Sequence, residues 1–323
     1  MEPPRRLSAD DVLRARDVLR RHLPPTPLRR SFALRPRPAW LKLECWQPTG
    51  SFKVRGAFNI LSSLDAEARS RGIVAASAGN HALGVAFAAQ ALGGALRTTV
   101  FVPESAPRAK VEKLRAFPVE VRVAGATYDD AYAASVKAAE ATGATYVHAY
   151  EDPRTAAGQG TVGVEILDEL PDVEAIVVPC GGGGLIASIA AYVKALKPAV
   201  RIVAVQPEAS PSLRESLRAG HALHEYAFAP TVSDGIAGGV GDIVFLHRDL
   251  IDEVVEVSEA ETEDAMLSLL AEDQVVAEGS GAVGVAAVRS GRVVAADGRP
   301  VVVVVSGANV DARVLSRLLR DRG

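Results

Sequence analysis

Short runs of β-branched and apolar residues alternate with Ala-rich stretches whose apolar positions recur every three to four residues, almost to the C-terminus. The short runs predict strands over 39–44, 73–77, 98–102, 120–123, 145–148, 175–179, 201–206, 253–257 and 301–306. The amphipathic stretches predict helices over 54–63, 82–92, 108–115, 129–141, 160–170, 185–195, 211–219 and 261–272. Runs such as Ile176-Val177-Val178 and Val301 to Val305 are apolar at every position, as strands are when helices cover both faces of a sheet. Buried strands alternating with helices read as an α/β fold with parallel sheets. No repeat of fixed period is visible. The patches Pro24-Pro25-Thr26-Pro27 and Arg35-Pro36-Arg37-Pro38 read as extended surface connections.

Composition narrows the class. The chain has 323 residues, 48% hydrophobic and 23% charged, as a globular protein of about two domains has. Lys plus Arg (36) against Asp plus Glu (39) leaves −3, with no basic excess to grip a phosphate backbone, so nucleic acid is not expected as a partner. Two cysteines, Cys45 and Cys180, cannot make a disulfide framework and suggest a reducing compartment. The N-terminus lacks the apolar core of a signal peptide, and no apolar run approaches the roughly 20 residues that span a bilayer. A cytoplasmic protein without a membrane partner is the expectation.

Ligands of such folds bind beyond the carboxyl ends of the strands, so the residues directly after each strand are the places to look for chemistry. Four junctions stand out. After 39–44 comes Thr49-Gly50-Ser51-Phe52-Lys53-Val54-Arg55; only 7 of the 36 basic residues are lysines, so Lys53 is not a default cation. Burial and the positive end of a helix dipole would lower its pKa, which suits a nucleophilic or imine-forming amine; a solvated lysine opening a helix is the plainer alternative. After 73–77 comes Ser77-Ala78-Gly79-Asn80-His81, whose free amides form a carboxylate or phosphate site, although Ser77 or Asn80 acting only as helix caps would also explain it. After 175–179 come Gly181, Gly182, Gly183 and Gly184, whose amides can close around a phosphate. A flexible turn or a dinucleotide loop with Glu208 at the ribose are the rivals, the latter weakened by Ile186 where a third glycine belongs. The strand 301–306 ends in Ser306, a hydroxyl able to meet a ring nitrogen without charge, or simply a turn residue. Hydrolase, zincin and Walker signatures and metal-ligand spacings are not found, and no metal is expected.

An amine, a carboxylate site, a phosphate cup and a ring-nitrogen partner together are what pyridoxal phosphate needs. With T-G-S-F-K-V-R-G-A at 49–57, S-A-G-N-H-A at 77–82, G-G-G-G-L at 181–185, E-G-S-G-A at 278–282 and S-G-A-N-V at 306–310, the chain resembles the threonine/serine dehydratase branch of the fold-type-II pyridoxal-phosphate enzymes, which includes serine racemases. That resemblance implies a tryptophan synthase β-like fold of two α/β domains with mainly parallel sheets and the cofactor in the interdomain cleft. Residues 1–69 and 153–323 would form the large domain, and 70–152 a small domain closing over the substrate. It implies that Lys53 carries the cofactor and acts as general base, that Phe52 shields it, and that Asn80 hydrogen-bonds the ring hydroxyl. It further implies that the amides of Gly181 to Leu185 bind the phosphate, that Ser306 faces the pyridine nitrogen, and that Glu278 lies near the ring. Ser77, Ala78, Gly79, Asn80 and His81 would bind the substrate carboxylate, with Ser77 also counted as catalytic. The reaction implied is β-elimination from a β-hydroxy amino acid such as L-threonine or L-serine to a 2-keto acid and ammonia, in a homodimer or homotetramer.

Three departures shape this expectation. Serine racemases carry a second serine where Ala78 stands, so little racemisation is expected. Arg214 takes the place of the second acid beside Glu208 in metal-dependent relatives, so no divalent metal is needed. Gly238 and Gly239 replace bulkier residues, which leaves open a larger substrate of the 3-hydroxyaspartate or phenylserine type. A non-catalytic binding homologue is the reading from another class; Lys53 argues against it.

Overall fold

The computed structural model describes residues 2–93, 96–295 and 298–322. Its strands are β1 (Leu28–Arg30), β2 (Ala39–Lys42), β3 (Ile73–Ala76), β4 (Thr98–Val102), β5 (Glu120–Val123), β6 (Thr145–Tyr146), β7 (Ala175–Pro179), β8 (Arg201–Pro207), β9 (Glu253–Val257) and β10 (Val301–Val304). The helices are α1 (Ala9–Leu19), α2 (Lys53–Ser62), α3 (Ala66–Arg71), α4 (Asn80–Ala91), α5 (Arg108–Arg115), α6 (Tyr128–Thr142), α7 (Pro153–Glu169), α8 (Gly184–Leu196), α9 (Ser212–Ala219), α10 (Asp242–Leu246), α11 (Glu259–Glu272), α12 (Gly279–Arg289) and α13 (Ala312–Arg322).

Two sheets form. One runs β1-β2-β10-β7-β8-β9, parallel except for the antiparallel edge strand β1; the other runs β5-β4-β3-β6 and is wholly parallel. In the larger sheet the alternation of the chain assigns each face its cover. Ile176, Val178, Ile202, Ala204, Val302 and Val304 pack into one core with the apolar sides of α7 and α8. Ala175, Val177, Val203, Val205, Val301 and Val303 pack into the other with α11 and α12. That is why these strands are apolar throughout. Ile186, the residue that counts against a dinucleotide loop, is buried in the first of these cores.

The helices α2 and α7 cross with their backbones nearly touching. A Cβ at Gly158 would lie 2.7 Å from the Arg55 carbonyl, and one at Gly56 would lie 2.6 Å from the Thr155 carbonyl. Below the crossing lies a buried charge cluster. Arg55 bonds both oxygens of Glu44 at 2.7 and 2.8 Å and reaches Glu165 at 2.6 Å, while Lys42 meets Glu165 at 2.8 Å and donates to the Thr26 carbonyl at 2.6 Å. Burial opposes charge on Glu44, yet the Arg55 guanidinium holds its carboxyl below the usual range. The cluster and the crossing together set the start of α2, which is where Lys53 sits.

Candidate functional site

Lys53 is the first residue of α2, preceded by Phe52 in helical geometry with no side-chain cap. Its turn is tied to the end of β10: the Phe52 amide donates to the Ser306 carbonyl at 3.1 Å, and Ser51 bridges to Gly307. The Lys53 amine donates to the Ala149 carbonyl at 3.1 Å and lies 5.1 Å from the centre of the Phe52 ring and 6.0 Å from that of Tyr150. It is not the solvated helix-opening cation of the plainer reading. Burial pushes the amine down to about 8, against an opposing pull from Glu278.

The glycine turn lies against the same Tyr150 ring, which occupies the place where any side chain at Gly182 would stand; Gly183 has φ +91 and abuts Val244. The turn is therefore held in place rather than flexible. No side chain caps α8, and the amides of Gly181, Gly182 and Gly183 meet no acceptor among the described residues. Leu185, behind them, is buried in the core. Unpaired amides at a helix start attract an anion.

Neither Ser77 nor Asn80 caps α4, contrary to the capping alternative: Gly79 is the N-cap and offers no side chain. The Ser77 hydroxyl instead accepts from the Gly79 amide at 3.0 Å, shaping a turn that leaves the first amides of the helix open. The Asn80 amide nitrogen donates to Glu278 at 2.7 Å, and its oxygen accepts from Asn309 at 2.7 Å. Burial pushes Glu278 up to about 7, partly offset by the bond from Asn80. Ser306 is buried, its hydroxyl 3.4 Å from the Ser280 carbonyl. The hydroxyls of Thr49, Ser51 and Ser280 are buried without a partner among the described residues. All four junctions thus converge on one place.

The two histidines nearest Lys53 are poor bases. His81 donates from Nε2 to the Val147 carbonyl at 2.8 Å, leaving Nδ1 buried and bare; burial and the Lys53 charge push it down to about 3. His148 accepts at Nδ1 from the amides of Tyr150 (3.3 Å) and Glu151 (3.1 Å), so its proton sits on Nε2; burial and the Lys53 charge push it down to about 4. A testable consequence follows for stability. Unfolded His148 takes up a proton below about pH 6.5, whereas the folded form resists until about 4, so folding loses stability as pH falls through that window. The loss is about 1.4 kcal/mol per unit, or about 2 kcal/mol by pH 5. His148→Gln removes it: urea unfolding at pH 7.5 and pH 5 should show the difference between wild type and variant moving about 2 kcal/mol in favour of the variant. A difference independent of pH contradicts this.

Tyr150, His148 and Ala149 are not singled out from the sequence, and Asn309 and Ser280, inside the motifs at 306–310 and 278–282, receive no role from it. The first three follow β6 directly, where the strand-end rule would have found them. Away from the site, Glu208 lies 3.7 Å from Arg292 and Arg214 pairs with Glu256, so the departure at Arg214 is absorbed by a local ion pair. Cys45 and Cys180 are buried and free, their thiols pushed up to about 12 by burial. Among the described residues no helix is long and apolar enough to cross a membrane.

Comparison with known proteins gives a consistent picture. A family model described as "Pyridoxal-phosphate dependent enzyme" matches residues 19–307. An L-threonine ammonia-lyase of Thermotoga maritima is 47% identical over 282 residues, 87% of this chain and 69% of the relative. A catabolic L-threonine dehydratase of Escherichia coli is 36% identical over 318 residues, 97% of this chain and 96% of the relative. The solved structure of maize serine racemase superposes with a TM-score of 0.89 at 31% identity, covering 98% of each chain.

Proposed function

Since the chain belongs to the family of pyridoxal-phosphate-dependent enzymes, we propose that it is an ammonia-lyase converting L-threonine, and more slowly L-serine, to a 2-keto acid and ammonia. The observation that carries this reading is the Lys53 amine, lowered to about 8 and set near the Phe52 and Tyr150 rings, the latter packed against a turn of unpaired glycine amides.

The residues present fit the cofactor. The glycine turn is a cradle in which a side chain at Gly182 would collide with Tyr150, and the hydroxyls of Thr49, Ser51 and Ser280, in the segments that carry Lys53 and Glu278, are buried without a partner among the described residues. In this reading Lys53 holds the cofactor, the amides from Gly181 to Leu185 hold its phosphate, Ser306 faces its ring nitrogen and Asn80 donates to its ring oxygen. Phe52 packs beside the amine and Glu278 orients Asn80. When bound, pyridoxal phosphate supplies the electron sink that makes the Cα–H of an attached amino acid acidic. Lys53, when its amine is free, would accept that proton at Nζ, a transfer suited to an amine whose pKa lies near the working pH. The open amides of the turn from Ser77 to His81 hold the substrate carboxylate, with the Ser77 hydroxyl fixing the turn. Loss of the β-hydroxyl and hydrolysis then give the keto acid and ammonia. Residues 70–152, which carry the four-stranded sheet, act as the unit that closes over the substrate. A cytoplasmic homodimer or homotetramer, with neither nucleic acid nor membrane as partner, completes the reading.

Racemisation is disfavoured because Ala78 offers no hydroxyl to return a proton from the face opposite Lys53. A larger substrate gains no support from Gly239: a side chain there would run into the His224 carbonyl, so this glycine serves the backbone turn.

Gly182→Ala displaces the Tyr150 ring, an overpacking worth about 1–3 kcal/mol, and should weaken cofactor binding by roughly ten-fold in an absorbance titration. Unchanged affinity would remove the glycine turn from the site. The functional test is keto-acid release from L-threonine, L-serine, threo-3-hydroxyaspartate and phenylserine by the cofactor-loaded protein. Release fastest from L-threonine is expected. Release from none of the four would overturn the proposal.

A further inference from the structure

Beyond the site itself, a chain of hydrogen bonds leads from the surface to Asn80. Lys113, exposed on α5, donates to the Asn309 side-chain oxygen at 2.6 Å. The Asn309 nitrogen donates to the Thr49 carbonyl at 2.8 Å and to the Asn80 oxygen at 2.7 Å, and the Asn80 nitrogen donates to Glu278 at 2.7 Å. An asparagine amide has one accepting and one donating end, and which end faces which neighbour is decided by neighbours that can only donate or only accept. A lysine ammonium only donates, and a backbone carbonyl only accepts. Lys113 and Thr49 therefore hold Asn309 from its two ends in the same sense, and Asn309 in turn forces the donating end of Asn80 toward Glu278 and the pocket.

We propose that Lys113 is a positioning residue, acting through Asn309 to keep the Asn80 N–H group turned toward the cofactor ring; the inference rests on the cofactor reading above. The hydrogen-bond chain also crosses between the two halves of the molecule. Lys113 comes from a helix packed on the four-stranded sheet, whereas Asn309 and Thr49 follow strands of the six-stranded one. A second lysine of the same helix, Lys110, reaches Asp234 at 3.4 Å, so α5 meets the larger half at two points. The approach of α5 and the orientation of Asn80 are thereby one event.

Three variants test this, with thermal unfolding confirming that each folds. Lys113→Arg keeps a donor-only cation and should stay within about two-fold of wild type in cofactor affinity, with the same visible absorbance maximum. Lys113→Met withdraws the donor and should shift the maximum. Lys113→Glu presents an acceptor where Asn309 shows its oxygen; it should turn or break the Asn309–Asn80 contact, shift the maximum and weaken cofactor binding about ten-fold, the scale of one lost hydrogen bond. Identical maxima and affinities in all three would overturn the proposal. A crystal structure of Lys113→Glu tests the contact without relying on the cofactor: an unmoved Asn309–Asn80 pair overturns the inference as well. A wild-type protein that takes up no pyridoxal phosphate overturns the functional reading instead, so the two failures are separable.

Discussion

Lys53→Ala abolishes keto-acid release, with a loss of more than roughly four orders of magnitude, and yields a protein that lacks the visible band of the lysine-linked cofactor and retains no covalently attached cofactor after borohydride. The size of the effect follows from the poverty of substitutes in the pocket. His148 has its basic nitrogen occupied by two backbone amides and is pushed down to about 4. His81 is held by the Val147 carbonyl and pushed down to about 3. Glu278 is committed to Asn80. With Lys53 gone, both histidines are too weakly basic and Glu278 is tied to Asn80, so a residual rate within a hundred-fold of wild type would show that another group is the base. Elimination followed by keto-acid detection, on protein that retains its thermal unfolding temperature, makes the comparison.

Arg55→Met destabilises the fold by about 3–5 kcal/mol, the scale of a buried ion pair broken by removal of one partner. Glu44 is fully buried, and its charge is compensated chiefly by the two bonds from Arg55. The cost is the stranded carboxylate rather than lost packing, since methionine fills much of the volume. The double variant Arg55→Met with Glu44→Gln should therefore recover a large part of the loss in urea unfolding of the cofactor-free protein. A double variant no more stable than the single one would show that the crossing of α2 and α7, and not the charge cluster, carries the stability. Because Arg55 lies two residues from Lys53 on the same helix, weakened cofactor binding should accompany the single variant and ease in the double.

Particular elements show what can be read from the residues alone. The strands 98–102, 120–123, 175–179 and 253–257 lie where the hydrophobic runs place them, bounded by turn residues and, in the case of 175–179, buried on both faces. The edge strand β1 (Leu28–Arg30) goes unread, since three residues containing two arginines carry no period. The helix α12 is likewise unplaced: its Gly-Ser-Gly start has poor helix propensity, and burial of the whole segment overrides it. The helix α7 starts at Pro153 rather than 160, because Gly158 and Gly160 read as interruptions when they are contact points for α2, α1 and α8. In the site, Lys53, Asn80, the four glycines and Ser306 are legible because each follows a strand. Tyr150 is not: an aromatic residue reads as core until its ring is seen near both the amine and the glycine turn. Asn309 and Lys113 depend on how α5 approaches across the molecule, which no local pattern encodes.

The most direct measurement is borohydride reduction of the cofactor-loaded protein, followed by tryptic digestion and mass spectrometry. Attachment at Lys53 blocks cleavage there, so the account predicts a phosphopyridoxyl adduct on a single peptide spanning residues 43–55. An adduct on any of the other six lysines, or no adduct in protein that still releases keto acid from threonine, would contradict it.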